Sequence, residues 1–316
     1  MSFSLITKGE LARVVDQKRC CRLAELAALI KTNGVLKIGE KQQVTLNIRT
    51  ENASVARKVF LLGKELFQVA ADVVARRKMQ LKKNNIYAIS ISGPTMVILR
   101  ETGLLNREGE LLTGINKKLV RRDCCRRAYL RGTFLGSGSL TNPGSGYHLE
   151  IVLGSRQYAQ EVGQLLKKMS FHPGLTVRKK GYVLYLKEAE QIAGCLSMMG
   201  AHTAVLNFEN VRICKEMRNQ VNRLVNCETA NLGKIINASL EQQKTIHFLA
   251  SAIGLEKLPP QLRQVAEARL TYPEASLQEL GELLELSKSG VRHRLRRLAE
   301  MAQNWQESQE KGIGLP

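Results

Sequence analysis

A chain of 316 residues with 44% hydrophobic side chains is long enough for two or three domains and a substantial core. Lysine and arginine outnumber aspartate and glutamate 48 to 28, and the resulting formal charge of +20 predicts a polyanionic partner such as nucleic acid. No apolar run is long enough to span a bilayer, and Met1-Ser2-Phe3-Ser4-Leu5 leads straight into Lys8, Glu10 and Arg13, which argues against a signal peptide and for a cytoplasmic protein with no membrane partner.

The first hundred residues predict helix, two strands, helix, strands, helix. A helix-like segment begins at Cys20, and Val44-Thr45-Leu46-Asn47-Ile48 alternates as a strand. From Ala53 to about Arg77 the apolar residues Val55, Val59, Leu62, Leu66, Val69 and Val73 keep helical spacing, and Tyr87-Ala88-Ile89-Ser90-Ile91 is strand-like again. The order then recurs. Asn142-Pro143-Gly144-Ser145-Gly146 marks a turn, Tyr147 to Leu153 a strand, Ser155 to Met169 a helix, and Tyr182 to Leu186 a strand.

The recurrence extends to sequence. Cys20-Cys21-Arg22 returns as Cys124-Cys125-Arg126, with Ala24, Leu26, Gly34 and Leu36 matched by Ala128, Leu130, Gly138 and Leu140 at a constant offset of 104 residues. A fixed period signals a duplicated unit, and this one is too long for a solenoid. The fold expected is α+β: two αββαββα copies, about 1–103 and 104–205, packed with pseudo-twofold symmetry.

Within each copy lies a nonapeptide, Leu26-Ala27-Ala28-Leu29-Ile30-Lys31-Thr32-Asn33-Gly34 and Leu130-Arg131-Gly132-Thr133-Phe134-Leu135-Gly136-Ser137-Gly138. These resemble the LAGLIDADG motif of homing endonucleases, the second more loosely. The resemblance implies paired motif helices at the centre of the domain, with Ala27, Ala28 and Gly132 small enough to let the backbones approach. It also implies a catalytic acid just before the final glycine, where this chain has Asn33 and Ser137. The sixth motif position, often acidic, is Lys31 in one copy and Leu135 in the other. Neither Asn33 nor Ser137 is charged, whereas hard cations want carboxylate oxygens and metal-assisted phosphodiester cleavage needs that metal. The expectation is a retained scaffold with its catalytic acids lost. Of the acids that could substitute, Asp123 lies about 21 Å from Ser137 if the helix is continuous, while Glu150, in the following strand, could fold back.

Seven cysteines appear as Cys20, Cys21, Cys124, Cys125, Cys195, Cys214 and Cys227, with no Cys-x-x-Cys pair. They read as reduced, small apolar residues, and no metal site or cofactor is expected. A basic run, Lys117, Lys118, Arg121, Arg122, Arg126, Arg127 and Arg131, is either a solvated face or a phosphate-binding one.

Residues 206–257 read as a helical connector rich in Asn and basic side chains, including Arg212, Lys215, Arg218 and Arg223. Its apolar positions Val211, Cys214, Val221, Leu224 and Val225 are expected to pack inward on a solvated connecting helix, or else the helix contacts phosphates. Leu258-Pro259-Pro260 then opens an all-α unit over 258–316, because proline ends one helix and suits the first turn of the next.

That unit carries the sharpest chemical signal. Ser276 with Glu279 three residues on is a capping box. After a break at Glu285-Leu286, Ser287 caps a second helix, with Gly281, Leu284, Leu286, Val291, Leu295 and Leu298 at helix-turn-helix core positions. A recognition helix places its N-terminal residues in the major groove, where arginine pairs with guanine O6/N7. Arg292 is the first candidate for base contact, with Ser287, Lys288, Ser289, His293 and Arg296 beside it, while Arg294 and Arg297 suit phosphates.

A degenerate duplicated LAGLIDADG-like domain followed by a helix-turn-helix, with the Cys-Cys-Arg repeats and Asn226-Cys227-Glu228-Thr229-Ala230-Asn231, resembles the WhiA regulators of bacteria over essentially the whole chain. The resemblance implies a non-enzymatic, nucleoid-associated protein that binds double-stranded DNA in sporulation control or in cell division and chromosome segregation. Two other readings compete: an active homing endonuclease, which needs an acid at Asn33 or Ser137, and an RNA-binding maturase, which does not need the helix-turn-helix. Residues 1–205 would then serve as a platform for flanking DNA or for a protein partner.

Overall fold

The computed structural model describes residues 2–38, 44–69, 71–77, 85–91, 93–106, 108–179 and 181–310. The chain divides into two compact units, 1–216 and 217–316. In the first, helix α1 (Phe3–Leu11) precedes two copies of one pattern. The first copy runs α2 (Arg19–Asn33), β1 (Gly34–Ile38), β2 (Val44–Thr50), α3 (Ala53–Phe67), β3 (Ala71–Arg77), β4 (Asn85–Ile91), α4 (Thr95–Glu101). The second runs α5 (Asp123–Ser137), β5 (Gly138–Leu140), β6 (Leu149–Leu153), α6 (Arg156–Lys168), β7 (Gly174–Arg178), β8 (Gly181–Leu186), α7 (Ala189–Met199). Each copy folds its strands into an antiparallel sheet, in the orders β1-β2-β4-β3 and β5-β6-β8-β7. The repeat proper starts at α2 and α5, so α1 and the segment 102–122 belong to neither copy.

The two motif helices α2 and α5 pack side by side along the pseudo-axis. Small residues permit this. A Cβ on Gly132 would overlap the Glu25 carbonyl oxygen and lie 3.0 Å from the Ala28 Cβ, and one on Gly136 would strike the Thr32 hydroxyl. The sheets cover this pair with Leu46, Ile48, Ile89 and Ile91 from one copy and Leu149, Ile151, Leu153 and Leu184 from the other, all buried in a single core. Each such side chain contributes about 1.5–3 kcal/mol through burial.

The helical reading to Arg77 is corrected. The Asn52 side chain caps α3 by accepting from the Ser54 and Val55 amides, and the helix ends at Gln68 in the left-handed region (φ 53°). Val73 then lies on β3, paired with Ile89 of β4. Val73 continues the apolar spacing of α3, but its β-branched side chain, like that of Val74, suits an edge strand.

A buried charge network joins the two copies. Arg131 donates from Nε and Nη2 to Glu25 at 2.9 Å each, from Nη1 to the Met199 carbonyl at 3.2 Å, and also pairs with Asp16. Lys58 of α3 sits 3.2 Å from the same Glu25 and donates to the Val14 carbonyl. Arg131 is thus 4% exposed and belongs to the core, which removes it from the basic run. Arg126 is also committed, to Asp123 and to the carbonyls of Val120 and Arg121. Lys117, Lys118, Arg121, Arg122 and Arg127 remain exposed.

Helix α8 (His202–Ala252) gives its first turns to the first unit and its last turns to the second. Glu10 of α1 caps it, accepting from the Thr203 and Ala204 amides at 2.7 and 2.9 Å, and Phe208 is fully buried. The apolar residues expected to pack inward do not: Val221, Leu224 and Val225 are 58%, 60% and 51% exposed, and Val211 and Cys214 are open as well. Farther on, Ile246 and Leu249 are buried in the second unit's core with Leu258. Residues 217–257 thus fall within the second compact unit, and α8 runs unbroken across the point where the two units divide. Its last residues, 311–316, lie outside the described residues.

The second unit adds α9 (Pro260–Thr271), α10 (Leu277–Leu283) and α11 (Lys288–Glu310). Leu262, Val265, Leu280, Val291, Leu295 and Leu298 form its core with the α8 residues. Arg269 is buried and donates to the Ala275 carbonyl at 2.6 Å, tying the α9–α10 loop to the core, and burial pushes its guanidinium below the usual value.

Candidate nucleic-acid interface

The α10–α11 pair is built as its residues dictate. The capping box is complete: the Glu279 amide donates to Ser276 Oγ at 3.3 Å, and the Ser276 amide donates to the Glu279 carboxylate at 2.6 Å. That backbone bond holds the Glu279 carboxyl below its ordinary range. Glu285 turns the chain with φ 55°, and the Leu286 amide closes back onto the Gly281 carbonyl at 2.8 Å. Gly281 is required here, since a Cβ would lie 2.6 Å from the Leu286 carbonyl oxygen. Ser287 then caps α11, its Oγ accepting from the Gly290 amide at 3.1 Å and touching Ser289 Oγ at 3.0 Å.

At about 100° per residue, the buried row Val291, Leu295, Leu298 and Ala302 fixes which way the rest of α11 faces. Ser289, His293, Arg296 and Arg297 point farthest from the core. Lys288 and Arg292 lie on one flank and Arg294 on the other. Ser287, Lys288, Ser289, Arg292, His293, Arg296 and Arg297 are exposed, and Arg294 is half-buried. Arg294 and Arg297 line a cleft with Pro259 and Leu262, apart from the Arg292 flank. Arg296 is partly engaged, pairing with Glu300 at 2.8 Å. All candidate residues thus lie on α11 or at its N-terminal cap, where Ser287 sits. The centre of the outward face belongs to Ser289 and His293, a point that charge alone does not reveal.

In the first unit, Asn33 and Ser137 end α2 and α5 side by side. The Asn33 amide donates to the Arg49 carbonyl at 3.1 Å, and the Ser137 hydroxyl donates to the Thr133 carbonyl at 3.3 Å. Asn33 lines a depression with Gly136, Gly138, Lys8, Arg49 and Glu51. Lys8 lies 5.8 Å from the Phe134 ring centroid, and burial pulls its ammonium down to about 8. The acids considered from sequence do not line this depression. Asp123 begins the continuous helix that Ser137 ends. Glu150 is tied to Arg178 at 2.9 Å, Ser139 at 3.1 Å and His148 at 3.3 Å. The carboxylate lining the depression is Glu51, which the motif pattern does not single out because it follows β2, outside the nonapeptide.

Three family models match in chain order: the WhiA N-terminal LAGLIDADG-like domain over residues 19–105, the WhiA LAGLIDADG-like domain over 126–218, and the WhiA C-terminal HTH domain over 221–302. The chain is 50% identical over 315 residues to a protein of Desulforamulus reducens named probable cell division protein WhiA, covering 98% of each. The chain belongs to the WhiA family. A like-named WhiA relative from Desulforudis audaxviator is 51% identical over 311 residues, covering 96% of this chain and 97% of its own. The crystal structure of full-length WhiA from Thermotoga maritima matches with a TM-score of 0.61 at 26% identity, covering 96% of this chain and 99% of that one. The WhiA HTH domain begins at residue 221, in keeping with the burial of Ile246 and Leu249 in the second core.

Proposed function

We propose that this WhiA-family chain binds double-stranded DNA through α11, with sequence preference, and does not cut it. The observation that carries the reading is the α11 surface: a fully buried apolar row fixes a helix whose outward and flanking faces present Lys288, Arg292, His293 and Arg297 to solvent. A supported helix with a basic N-terminal half is what major-groove docking requires. The reading as a non-nuclease rests on uncharged Asn33 and Ser137, whose polar groups bond to backbone carbonyls, and on the Lys8 cation that lines the depression with Asn33. The name of the relatives, probable cell division protein, favours a regulator or chromosome-associated factor in cell division over a mobile nuclease. Nucleoid association in the cytoplasm follows from that role, and among the described residues no helix is long and apolar enough to cross a membrane.

The test is selection of bound duplexes from a random pool, followed by incubation of the selected sites and plasmid with Mg²⁺ or Mn²⁺. An enriched motif with intact DNA is expected. Reproducible cleavage that disappears on Glu51→Gln or Glu150→Gln would restore the nuclease reading.

A further inference from the structure

The two Cys-Cys-Arg triplets, 104 residues apart in sequence, meet at the N-terminal end of the motif-helix pair. The sulfurs of Cys20, Cys21 and Cys125 lie within 4.8 Å of one another. Cys124 stands beside Cys21 and Cys125, its sulfur outside that group of three. The pseudo-twofold therefore runs through the cluster, and each helix supplies one adjacent pair from its first turn. All four cysteines are free thiols.

We propose that Cys20, Cys21, Cys124 and Cys125 form a thiolate site for a soft metal ion of the Zn²⁺ class. Four sulfurs at Zn–S distances of about 2.3 Å stand about 3.8 Å apart along the edges of a tetrahedron, and three of these four already lie within 4.8 Å of one another. A tetrahedral all-sulfur set selects zinc over the hard cations of nuclease sites. Bound thiolates need positive surroundings. The positive ends of two helix dipoles point at the cluster, and Arg122 stands beside Cys20. Burial pushes the Cys21 and Cys125 thiols up, so an ion would have to displace their protons. Access is also provided: Cys21 and Cys125 are buried, while Cys20 and Cys124 are half-exposed. A metal at this point would clamp the two copies together at the end opposite Asn33 and Ser137.

The experiment is metal analysis of the full chain, purified without chelator and after loading with Zn²⁺, alongside visible spectroscopy of the Co²⁺-loaded form. A single Zn²⁺ per chain and a tetrahedral Co²⁺–thiolate spectrum are expected. Cys20→Ser with Cys124→Ser, in the half-exposed pair, should lower occupancy at least about tenfold, while Cys214→Ser with Cys227→Ser on α8 should leave it unchanged. Should the first variant misfold, the wild-type stoichiometry still decides. A wild-type chain that takes up neither ion, uptake that survives Cys20→Ser with Cys124→Ser, or an isolated chain carrying a Cys20–Cys125 disulfide would each overturn the proposal.

Discussion

Arg131 of α5 and Glu25 of α2 form a two-pronged ion pair, 2.9 Å at each prong, buried between the motif helices. The positions are not related by the repeat. Glu25 corresponds to Tyr129, and Arg131 to Ala27. The pair therefore exists once, and it fixes one copy against the other in a way two identical copies would make twice. Removing one partner leaves Arg131 and Lys58 buried with only Asp16 as counter-charge, at a cost of about 3–5 kcal/mol. Glu25→Ala should show this in urea unfolding as early loss of the first unit. Glu25→Leu with Arg131→Met should recover much of the loss, since apolar replacement of a buried pair is often close to neutral.

Lys8 gives a pH signature. Burial lowers its value from 10.5 to about 8, so between those values the unfolded chain holds more protons than the folded one. Stability from this group therefore rises with pH through that window, and below it the cost of burying the charge is fully present. Lys8→Met should flatten the rise. Urea midpoints at about pH 7.5 and 9.5 check it, and identical pH slopes in the two proteins would refute it.

Gly281 is the narrowest point of the second unit. Gly281→Ala places a methyl against the Leu286 carbonyl, which belongs to the turn itself and cannot swing aside, and overpacking of this kind costs about 1–3 kcal/mol. DNA affinity should fall while the first unit melts as before. Gly146→Ala, where a Cβ meets nothing within 4 Å, serves as the neutral control.

Much of the fold is legible in the sequence because it is local or repeated. The Ser276 capping box, the strands β2, β6 and β8 and the doubled pattern all follow from short-range spacing. The elements that escape such reading are edge strands. β7 has alternating exposure and no distinctive run, and β3 continues the apolar spacing of α3. Arg131 resembles part of a basic run because its partner lies 106 residues away in sequence. The cysteine cluster is hidden for the same reason: metal-ligand spacing is sought within one segment, whereas these ligands are brought together by the duplication. The exposed Val221, Leu224 and Val225 show the converse, apolar residues at helical spacing that the fold leaves uncovered.

The first unit's exposed cations offer a further check. If they meet DNA flanking the bound site, changing Lys117, Lys118, Arg121 and Arg122 to Ala should flatten the salt dependence of binding by about one unit for each phosphate no longer neutralised. An unchanged slope would instead leave this surface as a solvated face or as a site for a protein partner.

The claim that α11 reads base edges meets its most direct test in Arg292→Ala and Arg297→Ala, each profiled against a library of single-base variants of the selected site at several salt concentrations. Arg292→Ala should cost about 1–3 kcal/mol and relax preference at one base pair. Arg297→Ala should weaken every sequence alike and lower the salt slope by about one unit. Equal, sequence-independent losses from both would contradict the assignment of the α11 faces, with Arg292 on a base edge and Arg297 on a phosphate.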